Sequence, residues 1–300
     1  MMPAPPTIDG SPDALMQAAM DALVARDLPA ARAMIRRAVA IGHVDGALME
    51  VALTANGSGG PADWPTALAL LRTAADTDPV AERQLALVEA MDLDQAGAPR
   101  SLPSSERLGD TPDIVRFPRL LSRDECAHIA GAVHDILEPS HVVDPATGGL
   151  REHPVRTSDG AVIGPTREDL VIRAINRRVA AISGTDIAQG EALSVLRYQP
   201  AQQFRLHHDA IAGAANQRIK TVLLYLNEGF TGGETFFPAS NLTVRPVAGD
   251  AILFANTQAD GTPDPRARHA GLPVTRGVKW LATRWIRARP FDIWTGPEAA

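Results

Sequence analysis

The chain has 300 residues, 45% hydrophobic and 21% charged, with a net charge of −6 and a pI near 5.8. That length suits two domains, or one large one with ample core, and the acidic balance excludes a global basic field that would draw nucleic acid. A single cysteine, Cys126, excludes an intrachain disulfide and a multi-thiolate zinc site, and the alanine-rich apolar runs are broken by charge well short of the roughly twenty residues that span a membrane.

Residues 1–10 are proline-rich and expected as disordered, without the basic-then-apolar pattern of a secretory signal, so a cytoplasmic setting is expected. Ser11-Pro12-Asp13 starts a helix, with serine as N-cap and proline in the first turn. From residue 14 to about 87 the chain reads as short helices broken at Asp27-Leu28-Pro29, Gly42-His43 and residues 56–61. Residues 31–39 align with 67–75, an internal repeat of 36 residues. That period, with small residues where helices approach, suits a helix–turn–helix solenoid and resembles Sel1-like and tetratricopeptide repeats. Residues 11–92 are thus expected as an all-α repeat region packed on the downstream domain. A surface for a peptide or protein and a support or homodimer element both stay open.

Residues 93–111 are a polar Pro/Gly/Ser-rich stretch, expected as a linker to a second domain over 112–290. A strand is expected at 114–117, then a capping box, Ser122 with Glu125, opening a helix to about Leu137. Cys126 lies on it as a half-buried small hydrophobe. Residues 138–165 are loop-rich around a strand at 155–158, and 167–182 carry a helical stripe of Val171, Ile175, Val179 and Ile182. After Gly184 strands are expected at 192–199, 203–207, 221–227, 234–237, 242–245, 251–254 and 279–287. The fold class is therefore α+β: a double-stranded β-helix (jelly roll) with helices on one sheet, behind the small all-α region.

Phe204-Arg205-Leu206-His207-His208-Asp209 places His207 and Asp209 two apart, on one face of a strand, with His208 opposite. His269 follows sixty residues after Asp209. Two histidines and one carboxylate that leave positions open are the ligand set of non-haem Fe(II) oxygenases. His43, His128, His134, His141 and His153 show no such set. Of 29 basic residues only Lys220 and Lys279 are lysine, a usage typical of GC-rich bacterial genomes. Lys279 lies inside an apolar strand, where a charge must be paired, and a compact ammonium suits the closed end of a narrow pocket. Both tyrosines, Tyr198 and Tyr225, fall in the same region, and a buried phenol seeks a partner.

Residues 112–290 resemble the Fe(II)/2-oxoglutarate dioxygenase domain of the prolyl 4-hydroxylase family. The motifs run in order: Leu196-Arg197-Tyr198-Gln199-Pro200, the 204–209 segment, Leu224-Tyr225-Leu226-Asn227 and Gly232-Gly233-Glu234-Thr235-Phe236-Phe237-Pro238. Gly249-Asp250-Ala251-Ile252-Leu253-Phe254, Arg268-His269-Ala270-Gly271-Leu272-Pro273-Val274 and Gly277-Val278-Lys279-Trp280 follow. The resemblance implies Fe(II) on His207, Asp209 and His269. It also implies 2-oxoglutarate with its distal carboxylate on Lys279 and Tyr225, and with Tyr198 at its metal-proximal end; Thr235 and Arg284, ranked below these, are further candidates for lining the same pocket. No protein group beyond the metal centre is implied in catalysis.

By the same resemblance Arg156, Ser158, Glu191, Phe204 and Trp285 contact a peptide substrate, with residues 138–165 and 257–268 as lids. The implied reaction hydroxylates an aliphatic C–H, foremost a prolyl side chain in a peptide or protein, consuming O2 and releasing succinate and CO2, with ascorbate stimulatory. A free amino acid or small molecule stays open as substrate. A non-catalytic adaptor with a retired oxygenase domain would show a damaged triad or a lost Lys279, and neither is seen. Zinc hydrolysis lacks a general base in the motif and leaves Lys279 without a role. No nucleic acid or membrane partner is expected.

Overall fold

Five helices open the chain, each packed on the next: α1 (Pro12–Val24), α2 (Leu28–Ala40), α3 (Val44–Asn56), α4 (Trp64–Ala75) and α5 (Pro79–Ala90). Their starts are set locally. Ser11, Asp27, Asp63 and Asp78 each accept a backbone N–H of the first turn, and each is followed there by a proline, so fixed φ and a satisfied donor coincide. The thirty-six-residue repeat is visible in the burial, because Ala31 and Ile35 of α2 and Ala67 and Leu71 of α4 are all fully buried. Asp27 and Asp63, which cap the two helices, keep the same offset. Arg32, buried on α2, pairs with Glu50 of α3 and donates to Thr54 Oγ1 at 2.5 Å.

The computed structural model describes residues 10–143, 150–152 and 155–294. The chain forms two compact units, Met1–Arg100 with Pro165–Ala174, and Ser101–Gly164 with Ile175–Ala300. Downstream of the helices come β1 (Glu106–Asp110), β2 (Asp113–Phe117), α6 (Arg123–Gly131), β3 (Glu138–Pro139), β4 (His141–Val143), β5 (Leu150–Glu152), β6 (Asp159–Ile163) and α7 (Leu170–Ser183). Then follow β7 (Leu193–Tyr198), β8 (Phe204–His207), β9 (Arg218–Tyr225), β10 (Thr231–Gly232) and β11 (Thr235–Phe237). The last strands are β12 (Leu242–Val244), β13 (Ala251–Ala255), β14 (His269–Gly271), β15 (Val274–Arg276) and β16 (Lys279–Arg287). None of the described helices is long and apolar enough to cross a membrane.

Two antiparallel sheets organise the second unit, an eight-stranded one ordered β1-β2-β13-β9-β16-β7-β6-β3 and a four-stranded one ordered β12-β11-β14-β8. Alternation supplies the core. Leu196 and Tyr198, Leu223 and Tyr225, and Ile252 and Phe254 are pairs two residues apart on the large sheet, and they join Phe237 and Val244 of the small one in a single buried cluster. This is the α+β double-stranded β-helix expected from the strand pattern.

Several local expectations shift. The Ser122–Glu125 capping box forms as read, but α6 stops at Gly131 instead of running to Leu137, in line with the poor helix propensity of glycine. Residues 155–158 hold an isolated bridge from Arg156 to Phe204, and the strand falls at Asp159–Ile163. Strand β1 lies within the stretch read as a linker. Cys126 is buried outright, and burial pushes its thiol up to about 11, so it is an inert core group. Residues 144–149, 153 and 154, within the segment read as a lid, and the side chains of His141 and His153 lie outside the described residues.

Candidate active site

Strands β8 and β14 are neighbours in the small sheet, and their register sets His207 directly opposite His269. The ring centroids are 4.3 Å apart. Each imidazole donates Nδ1–H to a carbonyl two residues before it, His207 to Arg205 at 2.8 Å and His269 to Ala267 at 3.1 Å. That bond fixes the tautomer and leaves both Nε2 lone pairs for a metal. Asp209 completes the group, with Oδ1 3.5 Å from His207 Nε2 and Oδ2 3.8 Å from His269 Nε2. Among the described residues this is the single cluster of three such donors, one ligand atom from each lying within 4.8 Å of the others.

The electrostatics match. Burial raises the pKa of Asp209, but His269, His207 and the Thr221 hydroxyl together outweigh it and hold the carboxyl well below the usual range. Burial lowers His269 to about 4, so it is neutral at physiological pH. An ionised carboxylate beside a neutral imidazole is the state in which such groups ligate metal. Phe204 stacks on His207 at 3.5 Å between centroids and 7° between planes, which further locks the ring.

His208 takes no part in the cluster. Its Nε2–H donates to the Asp264 carbonyl at 2.6 Å, and its Nδ1 accepts from Ala210 N at 2.9 Å. The geometry agrees with the strand-phase expectation, though β8 ends at His207 and strand alternation does not itself reach Asp209.

One pocket runs from the triad to Lys279 on the large sheet. Lys279 is buried opposite Tyr198 in the β16–β7 register. Its Nζ lies 5.3 Å from the Tyr198 ring centroid and donates to the Gly233 carbonyl at 2.7 Å. Gly233 has φ +72, and a Cβ there would come within 3.0 Å of Lys279 Cδ, so glycine meets both the backbone and the space requirement. Burial lowers Lys279 to about 8, with Glu234 opposing. Tyr225 shares a 2.8 Å hydrogen bond with Thr235 Oγ1, and burial pushes the phenol up. Tyr198 is raised by burial to about 12, so both phenols keep their protons. Leu196, Leu223 and Leu281 wall the pocket between its polar ends.

The five residues expected at the substrate divide. Phe204 and Trp285 line the pocket. Arg156 lies over Phe204, 5.7 Å from the ring centroid, and donates to Ser140 Oγ at 3.0 Å. Ser158 is fully buried, 3.3 Å from Ser140 Oγ. Glu191 is not brought to the pocket. Its carboxylate accepts from Arg218 at 2.6 and 2.7 Å and from Arg287 at 2.6 Å. Arg218 in turn covers the Trp285 ring at 4.0 Å. Arg284 faces the Ile187 and Gly190 carbonyls, away from the triad.

A family model described as the 2OG-Fe(II) oxygenase superfamily matches residues 193–287. Over 198 residues the chain is 36% identical to Prolyl 4-hydroxylase 1 of Arabidopsis thaliana, covering 60% of this chain and 70% of that protein. The chain belongs to the prolyl 4-hydroxylase family. It is 33% identical over 213 residues to Probable prolyl 4-hydroxylase 3 of the same plant, covering 63% of this chain and 74% of that one. Among solved structures it is similar to the viral collagen prolyl hydroxylase of Paramecium Bursaria Chlorella virus-1 in its 2OG complex. That match has 28% identity and a TM-score of 0.48, covering 61% of this chain and 99% of that one.

The protein is thus a 2-oxoglutarate- and Fe(II)-dependent dioxygenase. Its own donor set fits that metal: two free Nε2 atoms and an ionised carboxylate oxygen on one side of a pocket that continues to a buried ammonium.

Two polar residues behind the triad, Thr221 and Asn256, went unread in the sequence. Thr221 had a signal, since it shares the inward phase of β9 with Leu223 and Tyr225 and is the polar member of that face. Glu191→Ala is expected to cost about 3–5 kcal/mol of stability, because it strands two arginines that are fully or largely buried. The measurement is the urea midpoint at constant slope; a loss below about 1 kcal/mol, typical of an exposed pair, would contradict that role.

Proposed function

We propose that this protein hydroxylates prolyl side chains in a peptide or protein, with Fe(II) on His207, Asp209 and His269 and 2-oxoglutarate anchored on Lys279. The observation that carries the proposal is one pocket with a three-donor metal cluster at one end and a buried lysine ammonium at the other. When bound, Fe(II) with 2-oxoglutarate supplies the oxidising chemistry: one atom of O2 ends as the product hydroxyl, the other in succinate, and CO2 leaves.

The chain's own groups bind, orient and exclude water. The Arg205 and Ala267 carbonyls aim the two imidazoles. The Lys279 ammonium meets the distal carboxylate; the Tyr225 and Thr235 hydroxyls share one hydrogen bond, which leaves one O–H of the pair as a further donor beside it. Tyr198 faces the metal-proximal end. Three leucines keep the space between the ends dry, which strengthens each of these charge contacts. Phe204, Trp285 and Arg156 supply aromatic and cationic surface at the substrate side. The prolyl assignment is supported by the names of the plant relatives. Ser158 and Glu191 act behind that surface.

Residues 11–92 serve, on this reading, as a Sel1/tetratricopeptide-like binding or dimerisation element, and residues 112–290 as the oxygenase domain. A cytoplasmic protein of bacterial origin whose turnover is sustained by ascorbate completes the proposal.

The test incubates purified protein with Fe(II), ascorbate, 2-oxoglutarate and proline-containing peptides, following succinate release and peptide mass. The expected result is a gain of one oxygen on a prolyl residue that requires 2-oxoglutarate. Succinate release coupled to oxidation of another residue would move the substrate assignment. No succinate and no metal uptake would end the enzymatic one.

A further inference from the structure

Asp209 is held from behind by hydrogen bonds that can run in one direction only. Thr221 Oγ1 lies 2.6 Å from Asp209 Oδ2. The carboxylate is ionised and can only accept, so the threonine proton points at it. The hydroxyl's lone pairs must then receive a donor, and Asn256 Nδ2 supplies it at 2.8 Å. Thr221 and Asn256 are both fully buried, so no solvent can take over either bond. Asn256 Oδ1 has no partner among the described residues. An unsatisfied buried acceptor costs stability, and the amide donates to the one hydroxyl that touches a triad member.

The same asparagine is fixed through its backbone. Its N–H donates to the carbonyl of Ile219, two residues before Thr221 on β9, at 2.8 Å, and its carbonyl accepts from Asp264 N at 2.9 Å. The Asp264 carbonyl in turn accepts from His208. The segment that leads to His269 is thereby tied both to β9 and to the His207–Asp209 segment.

We propose that Thr221 and Asn256 are positioning residues for the metal centre. Thr221 engages Oδ2 of Asp209, Asn256 orients the Thr221 hydroxyl, and together they fix the rotation of the carboxylate, so that Oδ1 is the oxygen presented for coordination. A carboxylate free to turn would offer both oxygens and fill a coordination position that a cosubstrate needs. The inference rests on the reading of His207, Asp209 and His269 as metal ligands, and it extends that reading to two residues that touch neither metal nor substrate.

The experiment titrates Co(II) into the full-length metal-free protein and into Thr221→Val, Thr221→Ser and Thr221→Ala. Affinity is read by calorimetry and coordination by the visible Co(II) spectrum, with thermal unfolding of each metal-free protein recorded alongside. Thr221→Val, which keeps shape and loses the hydroxyl, is expected to bind about 10–100-fold more weakly and to show an altered spectrum. Thr221→Ser, which restores the hydroxyl, is expected to recover both affinity and spectrum. Should Thr221→Val fail to fold, Thr221→Ala, which adds no clash, takes its place with the same expectation. Asn256→Leu is expected to weaken binding in the same direction by a smaller factor. If these variants lose thermal stability yet bind Co(II) as tightly as the parent, with its spectrum, the two residues are merely structural and the proposal is overturned. If the parent takes up no Co(II), the metal-centre reading falls, and the inference with it.

Discussion

His207→Ala is expected to reduce 2-oxoglutarate-dependent succinate release to the level of the metal-free parent, with metal content falling from one ion per chain to none. His207 supplies one of three ligand atoms that lie within 4.8 Å of one another, and its Nε2 is aimed by the Nδ1–H bond to Arg205. Alanine at this position leaves two donors, a set too small to hold Fe(II) against water. Folding and metal loss separate in one measurement. A metal present at a hundredfold excess over its Kd stabilises the native state by about 2.7 kcal/mol. The parent should gain that increment on addition of metal, and His207→Ala should not. Without metal the variant loses its contacts with Phe204, the Arg205 carbonyl and His269, so its own metal-free midpoint is the reference against which its gain on metal addition is read. A variant that still gains the increment and still releases succinate would show that the centre lies elsewhere.

Lys279→Ala is expected to raise the KM for 2-oxoglutarate roughly 10–100-fold, the equivalent of a charge-assisted hydrogen bond of about 1.5–3 kcal/mol. The parent carries a pH signature as well. Burial lowers Lys279 to about 8, so the ammonium is mostly present at neutral pH and mostly lost a unit above that value. If only the charged form holds the distal carboxylate, the apparent affinity follows the charged fraction and weakens about tenfold between pH 7 and pH 9. Tyr198 and Tyr225 do not contribute to that window, because burial has raised both phenols.

The same shift has the opposite sign for stability. Without cosubstrate the folded chain releases the Lys279 proton near 8, whereas the unfolded chain keeps it to about 10.5. The cost of burying the charge is therefore fully present below pH 8 and fades as pH rises through the interval above it. Isothermal titration of 2-oxoglutarate across pH 7–9 reads the first effect, and denaturant unfolding across pH 8–10.5 reads the second. An affinity flat in pH would remove Lys279 as the anchor.

Much of this molecule was legible without coordinates because its signals are local. Serine before a first-turn proline marked the first helix start at Ser11, a matter of one side chain and the next few N–H groups. The inward pairs Leu196 and Tyr198, and Leu223 and Tyr225, follow the alternation of their strands, and Leu196, Tyr198 and Leu223 line the pocket. The rarity of lysine singled out Lys279 before its burial was visible.

What needed the tertiary structure were partners distant along the chain. The two-residue spacing of His207 and Asp209 suggested a shared strand face, yet β8 ends at His207. A hydroxyl twelve residues on, Thr221, is what bonds the carboxylate. The resemblance implied Glu191 at the substrate, whereas Arg218 and Arg287, 27 and 96 residues away, close on it in the fold. Strands of two or three residues, such as β10 and β14, are too short for a period to register. Sequence by itself thus determined the residue types, their phases and the reaction class. The pairing of β8 with β14 across the small sheet decided how those residues meet, because a hydrogen-bond partner is selected by folded proximity and leaves no periodic trace in the chain.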